Sequence, residues 1–253
     1  MDNPQTAQFI GKLRWDFEDL PSTNTFAIDL LSKQNPSEGT IIVARNQTNG
    51  RGQLSKSWES EPGQNITFSC ILYPGFLSAQ QHIHLNQTIA LGVRDFISTY
   101  VKKNVKIKWP NDIMVGDKKI AGILMQNSLH GDSIQHCVAG IGININQTSF
   151  QTAERPTSFA LESDQTFDVE LLLRKLCYFL ESRYLQLRQK EFEQISANYH
   201  QHLFRLHEWQ SYIRIADGSA FSGRLEGINT EGKLMLLTEG GMSIYNLHEI
   251  RFF

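Results

Sequence analysis

Three polar side chains that could serve a binding site or a reaction lie within one short stretch, Lys108–Leu124. Asn111 and Asp112 follow Pro110, which has no N–H and therefore interrupts regular strand pairing. At such an interruption both side chains can point into a cleft. Lys119 enters the next strand, so its ammonium group is expected beside the small side chains of that strand. These residues are unusual for a purely structural hairpin and form the first candidate site.

The pattern around these residues predicts a β-hairpin. Val105–Trp109 alternates apolar and basic residues, and Ile113–Val115 resumes the strand. Gly116–Asp117 forms a two-residue turn, and Lys118–Met125 is the return strand. Ala121–Gly122 weakens that strand unless something must approach the backbone closely. The alternative is a structural hairpin with a solvated basic turn.

A long polar loop, residues 45–65, follows a buried strand that is predicted at Gly39–Ala44. Compact domains rarely carry a loop of this length without a function. Its glycines let the backbone bend close to an anion, and Arg51 and Lys56 supply the positive charge that phosphates need. Trp58 offers a flat apolar face that can cover a ring. The loop matches neither a Walker A sequence nor GxGxxG. The alternative is a surface loop with one buried tryptophan.

Two further segments have residues that suit a small ligand. Ser22–Asn24 precedes a predicted helix, where its hydroxyl and amide groups either cap the helix or present donors to a ligand. The strand His136–Asn146 carries Gly140 and Gly142 on one face, and Asn144 continues that face. A face without side chains suits a ligand that lies against the backbone. The alternative there is a bulge or tight sheet packing.

The rest of the chain predicts strands and helices around these segments. The expected strands are Leu13–Phe17, Gly39–Ala44 and Asn65–Tyr73, and the first helix is expected at Thr25–Leu31. Ser78 and Gln81 form a predicted capping box for a helix that runs to about Lys102. Residues 147–166 are expected to be irregular, and the pattern from Asp168 to Tyr199 predicts two helices.

The composition indicates an ordinary globular protein. The 253 residues carry a formal net charge of −2 with mixed signs, which disfavours nucleic-acid binding through a basic face. Cys70, Cys137 and Cys177 lie in apolar runs and are expected to be reduced core residues, which favours a cytoplasmic location. No apolar run approaches the length of a membrane span. Short strands separated by turn residues begin near residue 207 and predict a second domain, a small β-barrel.

Four segments together resemble the biotin protein ligases, also called biotin–[acetyl-CoA-carboxylase] ligases. They are GRGQLSKSWES at 50–60, KWPNDI at 108–113, KKIAGIL at 118–124 and GIGININ at 140–146. The resemblance implies an α+β fold, in which residues 1–206 form a class II synthetase-like catalytic domain with a mixed β-sheet flanked by helices. Residues 207–253 are then a small SH3-like β-barrel.

The resemblance also implies an activity. Such ligases join biotin to ATP with Mg²⁺, which gives biotinyl-5′-AMP and pyrophosphate, and then transfer biotin to a lysine of a biotin carboxyl carrier domain. The implied partners are therefore biotin, ATP and that carrier protein, with no nucleic acid and no membrane, and with either a monomer or a homodimer. Only about twenty residues precede Ser22, too few for the helix-turn-helix domain that some of these ligases carry, so we expect no DNA binding.

The site residues follow from the matching motifs. Those implied in biotin binding are Ser22, Thr23, Asn24, Gln47, Gly50, Arg51, Lys119 and Gly122. Those implied in binding ATP or the adenylate are Gly52, Gln53, Lys56, Trp58, Asn111, Lys119 and Asn144, and Gly142 is implied as a lining residue. The implied catalytic residues are Lys119, Arg51 and Asp112, with Mg²⁺ brought by ATP close to Asp112.

The loop departs from the pattern GRGRxGR that is common in these ligases. Gln53 replaces an arginine, Ser55 a glycine and Lys56 an arginine, which bears on how tightly the loop retains the adenylate. Two other functions remain open. One is a lipoate or octanoate protein ligase of related fold, which acts through an adenylate or an enzyme thiol, and the other is a non-catalytic biotin-binding sensor. The presence of Lys119 argues against the sensor.

Overall fold

The computed structural model describes residues 6–53, 56–151 and 155–252. A seven-stranded sheet with the order β1-β2-β3-β7-β6-β5-β4 forms its centre. The strands are β1 (Arg14–Leu20), β2 (Ile41–Gln47), β3 (Ile66–Leu72), β4 (Val105–Lys108), β5 (Asp112–Val115), β6 (Lys118–His130) and β7 (Ser133–Ile143). Because β1 and β2 are parallel and the other pairs are antiparallel, the sheet is mixed, as predicted.

Helices cover both faces of the sheet. They are α1 (Thr23–Lys33), α2 (His82–Ser98), α3 (Phe159–Ser163), α4 (Val169–Arg188) and α5 (Phe192–Gln201). The alternation of β3 sorts its residues between the two sides. Phe68 and Cys70 belong to the core under α2 and α4, whereas Ile71 packs with α1. The apolar face predicted for this strand is confirmed, but the opposite face is buried as well because α1 covers it.

Three helix boundaries differ from the prediction, namely both ends of α1 and the end of α2, and one helix was not predicted. The capping box at Ser78 and Gln81 is present, but α2 ends at Ser98. The Thr99 hydroxyl donates to the Phe96 carbonyl at 2.7 Å and helps to close the last turn there. At its start, α1 extends back to Thr23 with Ser22 as N-cap.

The short helix α3 lies within the stretch that was expected to be irregular. It has five residues, too few for a periodic pattern. Ser158 caps it, and Phe159 anchors it among the rings of Phe96, Tyr100 and Phe167. The prediction of two helices between Asp168 and Tyr199 is confirmed by α4 and α5.

The C-terminal strands form a separate five-stranded antiparallel sheet. Its strands are β8 (Trp209–Arg214), β9 (Ala220–Ile228), β10 (Leu234–Thr238), β11 (Gly241–Tyr245) and β12 (Ile250–Phe252), in the order β11-β10-β9-β8-β12. The predicted small β unit is therefore present, while a domain boundary at residue 207 stays a prediction. This unit packs against the large sheet, since the Trp109 indole N–H donates to the Gly232 carbonyl at 2.9 Å.

Helices long and apolar enough to cross a bilayer are absent from residues 6–53, 56–151 and 155–252.

A buried carboxylate fixes the N-terminal segment to α4. Glu181 is 4% exposed and accepts backbone N–H groups from Phe9 at 2.8 Å and Ile10 at 2.9 Å, and a third from Gln8. Hydrogen bonds to a buried charged acceptor contribute more to folding stability than bonds between neutral groups do. Loss of the acceptor also leaves the buried N–H donors without a partner.

We expect Glu181→Ala to lower the free energy of unfolding by about 2–4 kcal/mol, because several N–H groups lose their acceptor at once. Urea denaturation monitored by circular dichroism measures this change. Glu193→Ala in α5 is the matched control, since Glu193 is exposed, and it should change the free energy by less than about 0.5 kcal/mol. Equal effects of the two substitutions would contradict the anchoring role of Glu181.

Candidate active site

A cavity of about 490 Å³ opens between the start of α1, the loop before β3, the β4–β5 connection and the C-terminal unit. Most of the predicted site residues line it, namely Ser22, Thr23, Asn24, Gln47, Arg51, Gly52, Gln53, Lys56, Trp58, Asn111, Asp112, Lys119, Gly122 and Gly142. The segments that carry them are far apart in the sequence. The fold thus brings together residues that only their types and motifs had connected.

A second cavity of about 650 Å³ adjoins the first. Gln47, Trp58 and Lys119 line both cavities, so these side chains stand at the border between them. Gly50 and Asn144 lie in the wall of the second cavity rather than the first. Which ligand each of these residues contacts stays a prediction.

An irregularity in the hairpin decides how Lys119 faces the site. The register between β5 and β6 pairs Met114 with Lys119 but Ile113 with Ala121, so β6 has one extra residue at that point. Such a bulge changes which side chains share a face. Lys119 and Gly122 therefore face the same cavity, although they are three positions apart in the strand. The predicted position of Lys119 beside a small-residue surface is confirmed, since a Cβ on Gly122 would lie 3.5 Å from its Cε.

Lys119 is held by several contacts in the described structure. Its ammonium lies 3.0 Å from Asp112 Oδ1 and 5.8 Å from the centre of the Trp58 ring. The side chains of Lys119 and Asp112 are 20% and 22% exposed. At this partial burial the attraction between the charges is stronger than at a water-exposed surface. The lysine is consequently pre-positioned at the border of the two cavities.

The indole of Trp58 lies on a surface of backbone without side chains. Gly122 and Gly142 are paired across β6 and β7. A Cβ on Gly142 would overlap the indole, and one on Gly122 would come within 3.1 Å of it. Gly140 gives the same kind of space to the carboxamide of Asn24. The glycine face therefore serves tight packing of the protein's own side chains as well as lining the cavity.

Two buried polar atoms in these walls lack a hydrogen-bond partner among the described residues. They are Trp58 Nε1 and Asn144 Oδ1. The amide nitrogen of Asn144 is already used, because it donates to the Thr157 carbonyl at 2.9 Å. An unsatisfied buried donor or acceptor costs free energy, so such atoms mark places where a polar ligand group would be favourable.

The loop before β3 folds back on itself. The backbone N–H of Trp58 donates to the Gly50 carbonyl at 2.9 Å, and that of Gly52 donates to the Lys56 carbonyl at 2.7 Å. Arg51 and Ser57 form an isolated antiparallel bridge. Arg51 and Lys56 thereby come to line the cavity. The departure at Ser55 lies outside the described residues, and so does Leu54.

The C-terminal unit supplies a wall that sequence reasoning missed. Ile215, Leu247, Ile250, Arg251 and Phe252 line the first cavity. No motif in these short strands indicates a site, and the contact depends on how the two sheets pack. The Lys108 ammonium lies 4.8 Å from the centre of the Phe252 ring, a contact that only the tertiary structure reveals.

The charge of the first cavity is predominantly positive. Its lining cations are Arg51, Lys56, Lys108, Lys119 and Arg251. Asp112 is the single carboxylate among the described residues that line it. An excess of cations in a concave site attracts a ligand with several negative charges.

A dedicated protein metal site is not formed by the residues that the structure describes. No group of three or more His, Cys, Asp or Glu side chains comes together in those ranges. Mg²⁺ is often bound by one or two carboxylates together with substrate phosphates. The lone Asp112 fits that second arrangement, in which the ion arrives on a nucleotide.

The three cysteines are free and buried. Burial raises the pKa of Cys177 to about 12 and also raises the pKa values of Cys70 and Cys137 above their usual range. Because the thiolate is the reactive form, these residues are unsuited to act as nucleophiles. None of the three lines either cavity.

The fold and the site together define a class of protein with a mixed sheet and two adjoining cavities. The first cavity has a polar end and a cationic end, and Lys119 stands at the border with the second. A model of the Biotin/lipoate A/B protein ligase family matches residues 17–144. The chain belongs to that family and is a ligase.

Named relatives and a solved structure agree with this assignment. The Bacillus subtilis protein called bifunctional ligase/repressor BirA is 30% identical over 244 residues, which cover 91% of this chain and 71% of that protein. The biotin–[acetyl-CoA-carboxylase] ligase of Paracoccus denitrificans is 30% identical over 241 residues, which cover 91% of this chain and 97% of that protein. The Aquifex aeolicus biotin protein ligase, solved with biotin and ATP, superposes with a TM-score of 0.78 at 25% identity, covering 96% of this chain and all of that one (100%).

We expect the native protein to resist alkylation by iodoacetamide, since each thiol is buried and stays protonated at neutral pH. Intact mass spectrometry measures the label. The same protein unfolded in urea is the control and should gain three carbamidomethyl groups, one for each cysteine. Rapid labelling of a cysteine in the folded protein would contradict this account.

Proposed function

We propose that this protein is an ATP-dependent biotin–protein ligase. Lys119 carries the proposal, because it stands where a cavity with a polar end meets a second cavity with room for a nucleotide. An acid bound in one cavity and a nucleotide in the other would both reach its ammonium. The ligase names of the relatives support the same activity.

The first cavity suits biotin. Ser22, Thr23 and Gln47 line its polar end, where the cyclic urea of biotin would find hydrogen-bond partners. The Trp58 indole, which lies on the Gly122–Gly142 surface, would give apolar cover to the ring and the chain. Biotin's carboxylate would then extend toward Lys119. The biotin complex of the Aquifex aeolicus protein supports this choice of ligand.

The second cavity suits the adenosine part of ATP. Trp58 offers an aromatic face, and Asn144 offers a buried carbonyl oxygen that has no hydrogen-bond partner among the described residues. A purine has both a flat surface and polar edges that can use such groups. The phosphates would lie back toward Lys119 and the cations of the first cavity.

The reaction then has two steps. A carboxylate oxygen of biotin attacks the α-phosphorus of ATP, and pyrophosphate leaves with the electrons of the broken P–O bond. The ε-amine of an acceptor lysine next attacks the acyl carbon, AMP leaves, and the amine loses a proton. Lys119 and Arg51 would stabilise the negative charge that builds on the α-phosphate in the first step. Lys119 would exchange its contact with Asp112 for contacts with the ligands.

Mg²⁺ would be held by the nucleotide phosphates with Asp112 as the protein ligand. When bound, Mg²⁺ neutralises part of the negative charge of the nucleotide phosphates. The loop that carries Arg51 would exclude water, since a mixed anhydride hydrolyses readily.

The other two functions receive less support. A lipoate or octanoate transfer through an enzyme thiol would need a reactive cysteine at the site. All three cysteines are buried, and none lines the two cavities. A dithiolane, the ring of lipoate, would leave the polar end of the first cavity without partners. A non-catalytic sensor would not require a cation at the border of the two cavities, because no charge develops on a phosphate when a ligand only binds. The acceptor is proposed to be a biotin carboxyl carrier domain in the cytoplasm, and the ligase is proposed to act as a monomer or a homodimer.

The decisive experiment incubates the protein with biotin, ATP, Mg²⁺ and a biotin carboxyl carrier domain. Mass spectrometry should show one lysine of the carrier gaining biotin, and pyrophosphate should be released only when biotin is present. Lipoate in place of biotin tests the related ligase. Binding of biotin without any pyrophosphate would indicate a sensor instead.

We expect Lys119→Ala to reduce adenylate formation by about 10²–10³-fold or more, because a positioned charge at the reacting phosphate is lost. Biotin-dependent pyrophosphate release measures the rate. Lys118→Ala is the matched control, since Lys118 is adjacent in β6 but exposed and outside both cavities. Normal turnover by the Lys119 variant would refute the role assigned to this residue.

We expect Arg51→Ala to release the adenylate faster, with a smaller effect on its formation, because Arg51 lies in the loop that lines the cavity and would contact the bound adenylate. Pre-formed adenylate is chased with excess biotin, and the dissociation rate should rise by about tenfold for the loss of one charged contact. Arg45→Ala provides the comparison, since Arg45 in β2 pairs with Glu18 away from the cavity. An unchanged release rate for the Arg51 variant would exclude a retaining role.

A further inference from the structure

A chain of buried polar side chains lies behind the polar end of the first cavity. Ser69 in β3 has no exposed surface (0%), and Thr23 and Asn24 at the start of α1 are each 3% exposed. The Ser69 hydroxyl lies 2.7 Å from Thr23 Oγ1 and is also hydrogen bonded to Asn24 Oδ1. Thr23 and Asn24 line the cavity, whereas Ser69 does not. Ser69 can therefore affect a ligand only through its two neighbours.

The orientation of the Asn24 carboxamide follows from its other contacts. Asn24 Nδ2 lies 3.2 Å from the Leu124 carbonyl oxygen and 2.9 Å from Gln126 Oε1. A backbone carbonyl can only accept a hydrogen bond, so the Asn24 atom that faces it must be the nitrogen. Gly140 makes room for the carboxamide, since a Cβ there would overlap it. The Asn24 oxygen is consequently the atom that faces Ser69.

This orientation determines where the hydroxyl hydrogens go. Asn24 Oδ1 only accepts, so the single hydrogen of Ser69 is donated to it. The hydrogen between Ser69 and Thr23 must then come from Thr23. Gln47 Oε1, at 3.2 Å, is a more distant acceptor for Thr23 Oγ1 and already accepts the Thr23 backbone N–H at 2.9 Å. With its only hydrogen committed to Ser69, Thr23 Oγ1 presents lone pairs to the cavity.

We propose that Ser69 and Asn24 are positioning residues that fix the Thr23 hydroxyl as a hydrogen-bond acceptor, so that the site selects an acid whose ring carries an N–H. The inference rests on the proposed function and deepens it. The cyclic urea of biotin has two N–H groups, and a dithiolane has none. A ring without the matching N–H leaves a buried acceptor unpaired, which sites of this kind reject strongly.

The test compares biotin with two cyclic carbamate analogues, in which one or the other urea N–H is replaced by oxygen. Calorimetry gives the Kd of each ligand. The unmodified protein should bind biotin more tightly than the analogue that lacks the N–H facing Thr23. In Ser69→Ala, the Kd of biotin should rise about tenfold, as for the loss of one aligned hydrogen bond. The Kd of the analogue that lacks this N–H should change little. The preference for biotin over that analogue therefore falls about tenfold.

Two further variants separate this role from general damage. Thr23→Val should lose the same preference, and adding Ser69→Ala to it should bring no further loss. Ser69→Cys keeps the size with a weaker donor and should give a smaller loss than Ser69→Ala. The melting temperature of each variant confirms that it is folded.

Thr67→Val is the matched control. Thr67 lies two residues before Ser69 in the same strand, is 2% exposed, and donates its hydroxyl to the Ala44 carbonyl. The Thr67→Val substitution should change the Kd of biotin and of both analogues by the same factor, so the preference for biotin stays the same. If Ser69→Ala weakens biotin and both analogues by the same factor, the role of Ser69 is only structural and the proposal is overturned. If the unmodified protein does not bind biotin, the proposed function itself fails, and this inference falls with it.

Discussion

The packing of Trp58 against side-chain-free backbone is the constraint on which the site depends. Gly122 and Gly142 face each other across β6 and β7, and only a residue without Cβ fits beneath the indole at Gly142. The indole lines both cavities, and its N–H is buried without a hydrogen-bond partner among the described residues. A central, fully paired part of the sheet thereby becomes a binding surface without losing its backbone hydrogen bonds.

Electrostatics then divides the site into a polar end and a charged end. Thr23, Asn24 and Gln47 form hydrogen bonds without a formal charge, which suits the recognition of a neutral ring. The opposite end collects cations around the Lys119–Asp112 pair. A ligand with a neutral polar head and an anionic tail can lie in one direction only. The charged end also borders the second cavity, so tail and nucleotide would meet there.

The C-terminal sheet forms part of the wall of the first cavity. Arg251 and Phe252 of β12 line the first cavity, and Phe252 contacts Lys108 on β4. The Trp109 indole, next to the motif residues, is hydrogen bonded to Gly232 in the same unit. Movement of one sheet relative to the other would therefore change the charged end of the cavity. This coupling arises from packing between strands that carry no motif of their own.

The sequence by itself determined most of the strands and helices, the hairpin with its turn at Gly116, and the residue types of the site, because strand alternation, turn chemistry and local motifs act over a few residues. The mixed sheet flanked by helices was expected only from the resemblance to the biotin protein ligases. It missed α3, which is too short to show a period, and placed the end of α2 too late. Only the tertiary structure decided that a bulge turns Lys119 to the side of Gly122, and that Ser69 stands behind Thr23. Those outcomes depend on contacts between distant segments, and one residue of register reverses the face of a strand.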